Sequence, residues 1–174
     1  MRALAFLTNT VFTCYILCVM LRFFLQWVKA DFYNPLCQLL IKLTNPLLVP
    51  LRRLTPGFFG VDFAAIILML LLGAINVALL TVITGLPWSS YLILVTINKL
   101  VTLMLNMYFF AIIIRSIMSW VNPAPHNPIY MILGQLTEPV LRPIRRVIPM
   151  IHGFDLSPIV ALLALHLISI LFQT

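Results

Sequence analysis

Arginine and proline recur together at two places in this chain, at 46–53 (Pro-Leu-Leu-Val-Pro-Leu-Arg-Arg) and at 139–146 (Pro-Val-Leu-Arg-Pro-Ile-Arg-Arg). A guanidinium is a planar fork that donates two parallel hydrogen bonds, so paired arginines at a fixed spacing suit a phosphate or a carboxylate. Their other use is topological, since basic residues beside an apolar run hold that end in the cytoplasm, and charge alone is enough for that. Both readings stand. Repetition of the prolines as well favours a specific contact, because an anchor has no need of a rigid turn. Arg52, Arg53, Arg142, Arg145 and Arg146 are therefore the candidate residues for contact with an acidic lipid or a protein partner.

Four further charges sit closer to apolar sequence. Arg22 and Arg115 stand about five residues before the ends of apolar runs, and Asp62 and Asp155 open the runs that follow. An ionisable group at membrane depth calls for a named partner. Ion pairs between these arginines and aspartates, within one copy or crosswise, are the expected arrangement. The aspartates could also cap helix starts, and the arginines could instead snorkel to head groups.

The elements that must position these residues are duplicated. Residues 22–62 align without a gap on 115–155, at an offset of 115 − 22 = 93, with 16 identities in 41 positions. An internal repeat fixes architecture before any other reading. It predicts two units, 1–88 and 89–174. The copies differ in kind at Phe63-Ala64-Ala65 against Leu156-Ser157-Pro158.

Composition sets the solvent of these units. Hydrophobic residues make up 63% of the 174 residues, charged residues only 9%, and mean hydropathy is +1.11. A soluble surface needs about 25% charged residues, so this chain is expected to be an all-α membrane protein. Four apolar stretches, near 4–27, 62–84, 97–120 and 156–172, are each about as long as the roughly 20 residues that cross a hydrocarbon core. The net charge of +7 lies beside these stretches, which points to anionic head groups and away from nucleic acid. The first stretch resembles a signal peptide, but it is too long and lacks a small-residue cleavage site. It also aligns with an internal stretch, so it should be retained.

Orientation follows from lysine and arginine. Lys29, Lys42, Arg52 and Arg53 follow the first stretch, and Arg142, Arg145 and Arg146 follow the third, whereas 85–96 carries no charge. Both basic segments should be cytoplasmic and both termini on the far side, with the two copies parallel. Asn34-Pro35 and Asn127-Pro128 read as helix starts. Leu36, Leu39, Leu40 and Leu43, and in the second copy Ile129, Ile132, Leu133 and Leu136, form the apolar faces of short interfacial helices. Pro46 and Pro139 are expected to force a break or a new start.

Catalytic signals are missing from the sequence. There is no phosphate-binding glycine loop and no zinc-protease signature. Cys14 and Cys18 at i, i+4 read as helix packing and not as metal ligands. Lys99, Asn76, Asn98, Asn106 and His166 fall in or near apolar stretches, where hydrogen bonding inside a bundle accounts for them. No enzyme activity, metal or cofactor is expected.

The stretch 141–149 (Leu-Arg-Pro-Ile-Arg-Arg-Val-Ile-Pro) and the stretch 153–159 (Gly-Phe-Asp-Leu-Ser-Pro-Ile) resemble the YggT family of small bacterial inner-membrane proteins. The likeness covers nearly the whole chain. It implies motif roles for Arg142, Pro143, Arg145, Arg146, Pro149, Gly153, Asp155, Ser157 and Pro158. The family has been connected with osmotic stress tolerance and potassium supply, with cell division or nucleoid placement, and in plastids with haem attachment. The resemblance thus implies an inner-membrane location. It is compatible with a scaffold, alone or as a homo-oligomer, with a channel or transport accessory, or with an assembly factor for a cofactor-bearing complex.

Overall fold

The computed structural model describes residues 1–55, 61–85, 92–121, 127–147 and 155–173, without the side chains of residues 120, 121 and 173. Among the described residues six helices follow one another: α1 (Arg2–Trp27), α2 (Pro35–Leu54), α3 (Phe63–Thr84), α4 (Leu92–Val121), α5 (Pro128–Val147) and α6 (Ser157–Gln173). Three of them, over Arg2–Trp27, Phe63–Thr84 and Leu92–Ser119, are long and apolar enough to cross a membrane. The fourth apolar helix, Ser157–Phe172, is shorter. At about 1.5 Å per residue it spans somewhat less than a roughly 30 Å hydrocarbon core.

Local sequence accounts for most boundaries. The Asn34 side chain caps α2 by accepting from the Leu36 N–H at 3.0 Å, and Asn127 accepts from the Ile129 N–H at 2.9 Å. Asp62 caps α3 through the Ala65 N–H at 3.4 Å. Gly85 ends α3 with φ of 69°, the left-handed region where a Cβ is unfavourable. Helix α4 starts about five residues earlier than the expected 97, because Leu92 to Thr96 contains no helix breaker and Thr96 bonds back to the Leu92 carbonyl.

The expected breaks at Pro46 and Pro139 do not occur. Helix α2 runs through Pro46 and Pro50, and α5 through Pro139 and Pro143. A proline removes one backbone donor and crowds the carbonyl four residues back. Here all four prolines face outward, on the side away from the packed core. The inner sides are pinned by Cys37, Thr44 and Leu48 in α2 and by Ile132, Leu136, Thr137 and Leu141 in α5. Of the four leucines expected on the apolar face of α2, Leu36 and Leu40 pack inward while Leu39 and Leu43 are exposed.

Packing follows the offset. Helix α1 lies on α3 as α4 lies on α6, α1 on α2 as α4 on α5, and α2 on α3 as α5 on α6. The two sets meet chiefly through α3 and α4. The main core comprises Ile16, Val19, Met20, Phe24, Leu25, Leu48, Leu68, Tyr108 and Leu136 among others, and a smaller one holds Ile112, Leu141 and Ala161.

Between α3 and α4 the backbones approach closely at Gly73. A Cβ there would lie 2.8 Å from Cγ2 of Thr96, itself a buried and stiff β-branched side chain. Gly73→Ala should therefore lower the thermal stability of the detergent-solubilised protein, at a cost of about 1–3 kcal/mol from overpacking. Adding Thr96→Ser, which removes the clashing methyl, should recover most of that loss. Equal melting points for the single variant and the parent would show that α3 and α4 separate without penalty.

Candidate functional site

The arginines near the ends of α1 and α4 are the most constrained polar groups in the fold. Arg22 is 6% exposed and lies on a predominantly apolar helix. Its Nη1 donates to Thr44 Oγ1 at 2.5 Å, to Asn45 Oδ1 at 2.8 Å and, more weakly, to the Ile41 carbonyl at 3.5 Å. Thr44 in turn donates to the Leu40 carbonyl at 2.6 Å. Arg115 repeats this geometry. Its Nη1 reaches Thr137 Oγ1 at 2.7 Å and the Gly134 carbonyl at 3.5 Å, and its Nη2 reaches Glu138 Oε2 at 3.2 Å. The acceptors lie just before Pro46 and Pro139, so each arginine clasps its Pro-Arg helix on the turn where proline interrupts the ladder. A buried guanidinium without such acceptors would cost several kcal/mol.

The aspartates have other partners than the expected ones. Asp62, 6% exposed, accepts at Oδ2 from Arg52 Nη2 at 2.5 Å and Nε at 3.2 Å, while Oδ1 caps α3. Asp155 accepts at Oδ2 from Arg145 Nε at 2.8 Å, and its Oδ1 takes the Ser157 hydroxyl and the Ser157 N–H, the latter at 2.9 Å. Glu138 sits between the two arginines of the second copy, with Oε1 3.4 Å from Arg145 Nη1 and Oε2 3.2 Å from Arg115 Nη2. Arg22 and Arg115 thus hold helices α2 and α5 to the bundle, and Arg52 and Arg145 tie the far ends of those helices to the starts of α3 and α6. Burial alone would raise the Asp155 carboxyl. The hydrogen bonds from the Ser157 hydroxyl and N–H, and then the hydrogen bond and charge of Arg145, outweigh it and hold the group below its ordinary value.

The remaining candidates separate by exposure. Arg53, Arg142 and Arg146 project outward and make no ion pair among the described residues. Pro143 is exposed on α5, and Ser157 and Pro158 form the first turn of α6. Pro149 and Gly153, like Pro56 and Gly60, lie outside the described residues. Lys99 donates to Asn9 Oδ1 at 2.7 Å and also to Asn76 Oδ1, joining α4, α1 and α3. Asn98, Asn106 and His166 are exposed and do not join this cluster. Sequence reading missed Thr44, Thr137, Asn45, Glu138 and Asn9. The identity of Thr44 with Thr137 was the available signal, because a hydroxyl retained in both copies beside a proline marks a shared acceptor.

Comparison with known proteins is consistent across the chain. A family model described as CCB3/YggT matches residues 1–83 and 94–174. An uncharacterised protein of Pseudomonas aeruginosa is 42% identical over 172 residues, covering 97% of this chain and 87% of its own. The uncharacterised protein YggT of Escherichia coli K12 is 37% identical over 174 residues, 97% of this chain and 88% of its own. A chloroplastic YlmG homologue of Arabidopsis thaliana is 38% identical over 84 residues, 47% of this chain and 32% of its own. No solved structure matches.

Removing the shared hydroxyl tests the clasp. Thr44→Val or Thr137→Val should each destabilise the fold by about 1.5–3 kcal/mol, the usual range for a hydrogen bond to a charged group. Thermal melts of the two variants against Thr10→Val, an exposed threonine bonded only to its own helix, would read it. Acidification tests the second ion pair. A carboxyl lowered in the folded state stabilises above its unfolded pKa, and that stability is lost as pH falls through the folded value. The parent should therefore lose its stability advantage over Asp155→Asn as pH drops below about 5. A constant difference across that window would remove Asp155 from the argument.

Proposed function

The chain belongs to the CCB3/YggT family, and from that premise we propose that it is a non-enzymatic, multi-pass inner-membrane organiser that presents two arginine-bearing helices to anionic lipid or a membrane-protein partner. The observation that carries the reading is the doubled clasp. Thr44 and Thr137 accept from Arg22 and Arg115, and Asp62 and Asp155 accept from Arg52 and Arg145, each pair at the same offset of 155 − 62 = 93. A simple charge anchor would not require two helices to be fixed at the middle and again at the C-terminal turn. Fixing them leaves Arg53, Arg142 and Arg146 on the outside with their donors free for phosphate.

The same reading sets topology. Helices α1, α3, α4 and α6 serve as four spans in two parallel copies, and α2 and α5 lie in the cytoplasmic interface. Both termini are periplasmic, in keeping with the uncharged 85–96 connection. The shortness of α6 is accommodated at modest cost by local thinning of the bilayer. The family model's matching in two stretches supports the division into copies. The link to osmotic stress is carried as part of this proposal, through organisation of the membrane and not through transport.

Two measurements bear on it. Reporter fusions after residue 53 and residue 145 should both report the cytoplasm, and a periplasmic signal from either would reject the topology. In nanodiscs of graded anionic content, replacing Arg53, Arg142 and Arg146 together by Gln should weaken preference for anionic lipid by about 1 kcal/mol per arginine. Saturable ion flux through the purified protein in liposomes would favour a channel or transport accessory instead.

A further inference from the structure

We propose that the cavity enclosed by α4, α5 and α6 is a binding site for one zwitterionic glycerophospholipid, with its phosphate on Arg145, Tyr130 and Ser119 and its acyl chains over Ile117 and Ile159. This site is independent of the outward-facing arginines of the preceding section. The cavity has a volume of about 560 Å³ and is walled by Arg115, Arg145, Asp155, Ser116, Ser119 and Tyr130 on its polar side. That is within the size range of small-molecule sites. Its apolar side is formed by Ile113, Ile117, Leu141, Leu156, Ile159 and Leu162, of which Ile117 and Ile159 are 51% and 56% exposed. A polar pocket opening onto an exposed apolar wall fits an amphiphile, and its depth suits a head group. Arg115 stands six residues before the end of α4, about 9 Å along the axis.

The choice of head group follows from donors and charge. Among the described residues, Arg145 Nη2 and the hydroxyls of Tyr130 and Ser119 have no protein partner. These supply hydrogen bonds to phosphate oxygens. The charges around them already balance, because Arg115 and Arg145 are matched by Glu138 and Asp155. Adding net charge to a balanced, partly dehydrated cluster is costly, so a head group that carries its own compensating cation is preferred. Asp155 lines the cavity, is 25% exposed and offers that cation a carboxylate.

The first copy lacks this site for a reason legible in its residues. At the same offset of 93, Ser116 is replaced by Phe23, Ile117 by Phe24, Tyr130 by Cys37 and Pro158 by Ala65. Phe24 is packed edge-on against Tyr108 at 5.3 Å, and Cys37 and Ala65 are buried. The nearest cavity there, about 370 Å³ beside Phe23, Phe24, Trp27 and Asp62, has no arginine on its wall. Among the described residues, the difference between Ala65 and Pro158 is thus one wall of a site seen in the second copy.

Native mass spectrometry of the delipidated full chain, titrated with phosphatidylethanolamine, phosphatidylglycerol or inorganic phosphate, tests the proposal. One phosphatidylethanolamine should bind per chain, with the other two much weaker. Ser116→Phe, which installs the residue of the first copy, should abolish that binding. Tyr130→Phe keeps the ring and should weaken binding by up to about tenfold, the range for one hydrogen bond. Lys42→Gln, exposed on α2, should leave it unchanged. If Ser116→Phe does not fold, as judged by its melting transition, Tyr130→Phe decides the matter. Equal binding of phosphatidylglycerol or of free phosphate, or unchanged retention in a folded Ser116→Phe and in Tyr130→Phe, would overturn the site.

Discussion

A guanidinium on an apolar helix must be given acceptors, and the acceptors for Arg22 and Arg115 come from another helix. That requirement organises the rest of the bundle. The side chain is long enough to reach the neighbouring helix, but its own helix has no free backbone acceptor to offer mid-run. Helices α2 and α5 supply a threonine hydroxyl, a side-chain oxygen and a carbonyl within a single turn. Once that turn is fixed, the rest of each Pro-Arg helix follows, and the first arginine of its Arg-Arg pair falls beside the aspartate that opens the next helix.

Proline belongs to this logic. A helix interrupted by Pro46 or Pro139 is weaker than an unbroken one by about 3 kcal/mol, yet both helices continue. Their inner faces are held by buried apolar side chains, and the neighbouring turn is held by arginine. The prolines face outward, away from the core side chains. Proline read from sequence signals a break because propensity is a local quantity. What outweighs it here is a contact 22 residues away in the chain, which no window of neighbouring residues contains.

The asparagine caps, the all-helical apolar runs and the aspartates at helix starts were legible in the residues, because each is a local or periodic signal. The pairing of arginines was not. Sequence offers Arg22 two classes of partner, carboxylate and neutral oxygen, and charge alone points to Asp62. Geometry gives Asp62 to Arg52, which is ten residues away in the last turn of α2. The early start of α4 was missed because Leu92 to Thr96 is apolar but adjoins an uncharged connection, so composition marks no edge. Gly73 and Thr96 are likewise silent until the two helices are laid against each other.

Departures from the repeat say where the two halves differ in physics. Asn45 faces Arg22 with a neutral oxygen, whereas Glu138 faces Arg115 with a charge and also reaches Arg145. The first cluster therefore carries two arginines against Asp62, while the second sets two arginines against two carboxylates. Lys99 has no counterpart in the first half, where its position is Phe6, and its bonds to Asn9 and Asn76 draw the first unit's α1 and α3 onto the second unit's α4. A symmetric pair of units would have an arbitrary relative placement. Lys99 and the close approach at Gly73 remove that freedom at one end of the bundle. The bond from Asn34 Nδ2 to the Pro128 carbonyl, at 2.9 Å, removes it near the other. The two Pro-Arg helices are thus fixed relative to each other as well as to their own units. The proposed presentation of two sets of arginines at one spacing would require that rigidity, and a pair of independent anchors would not.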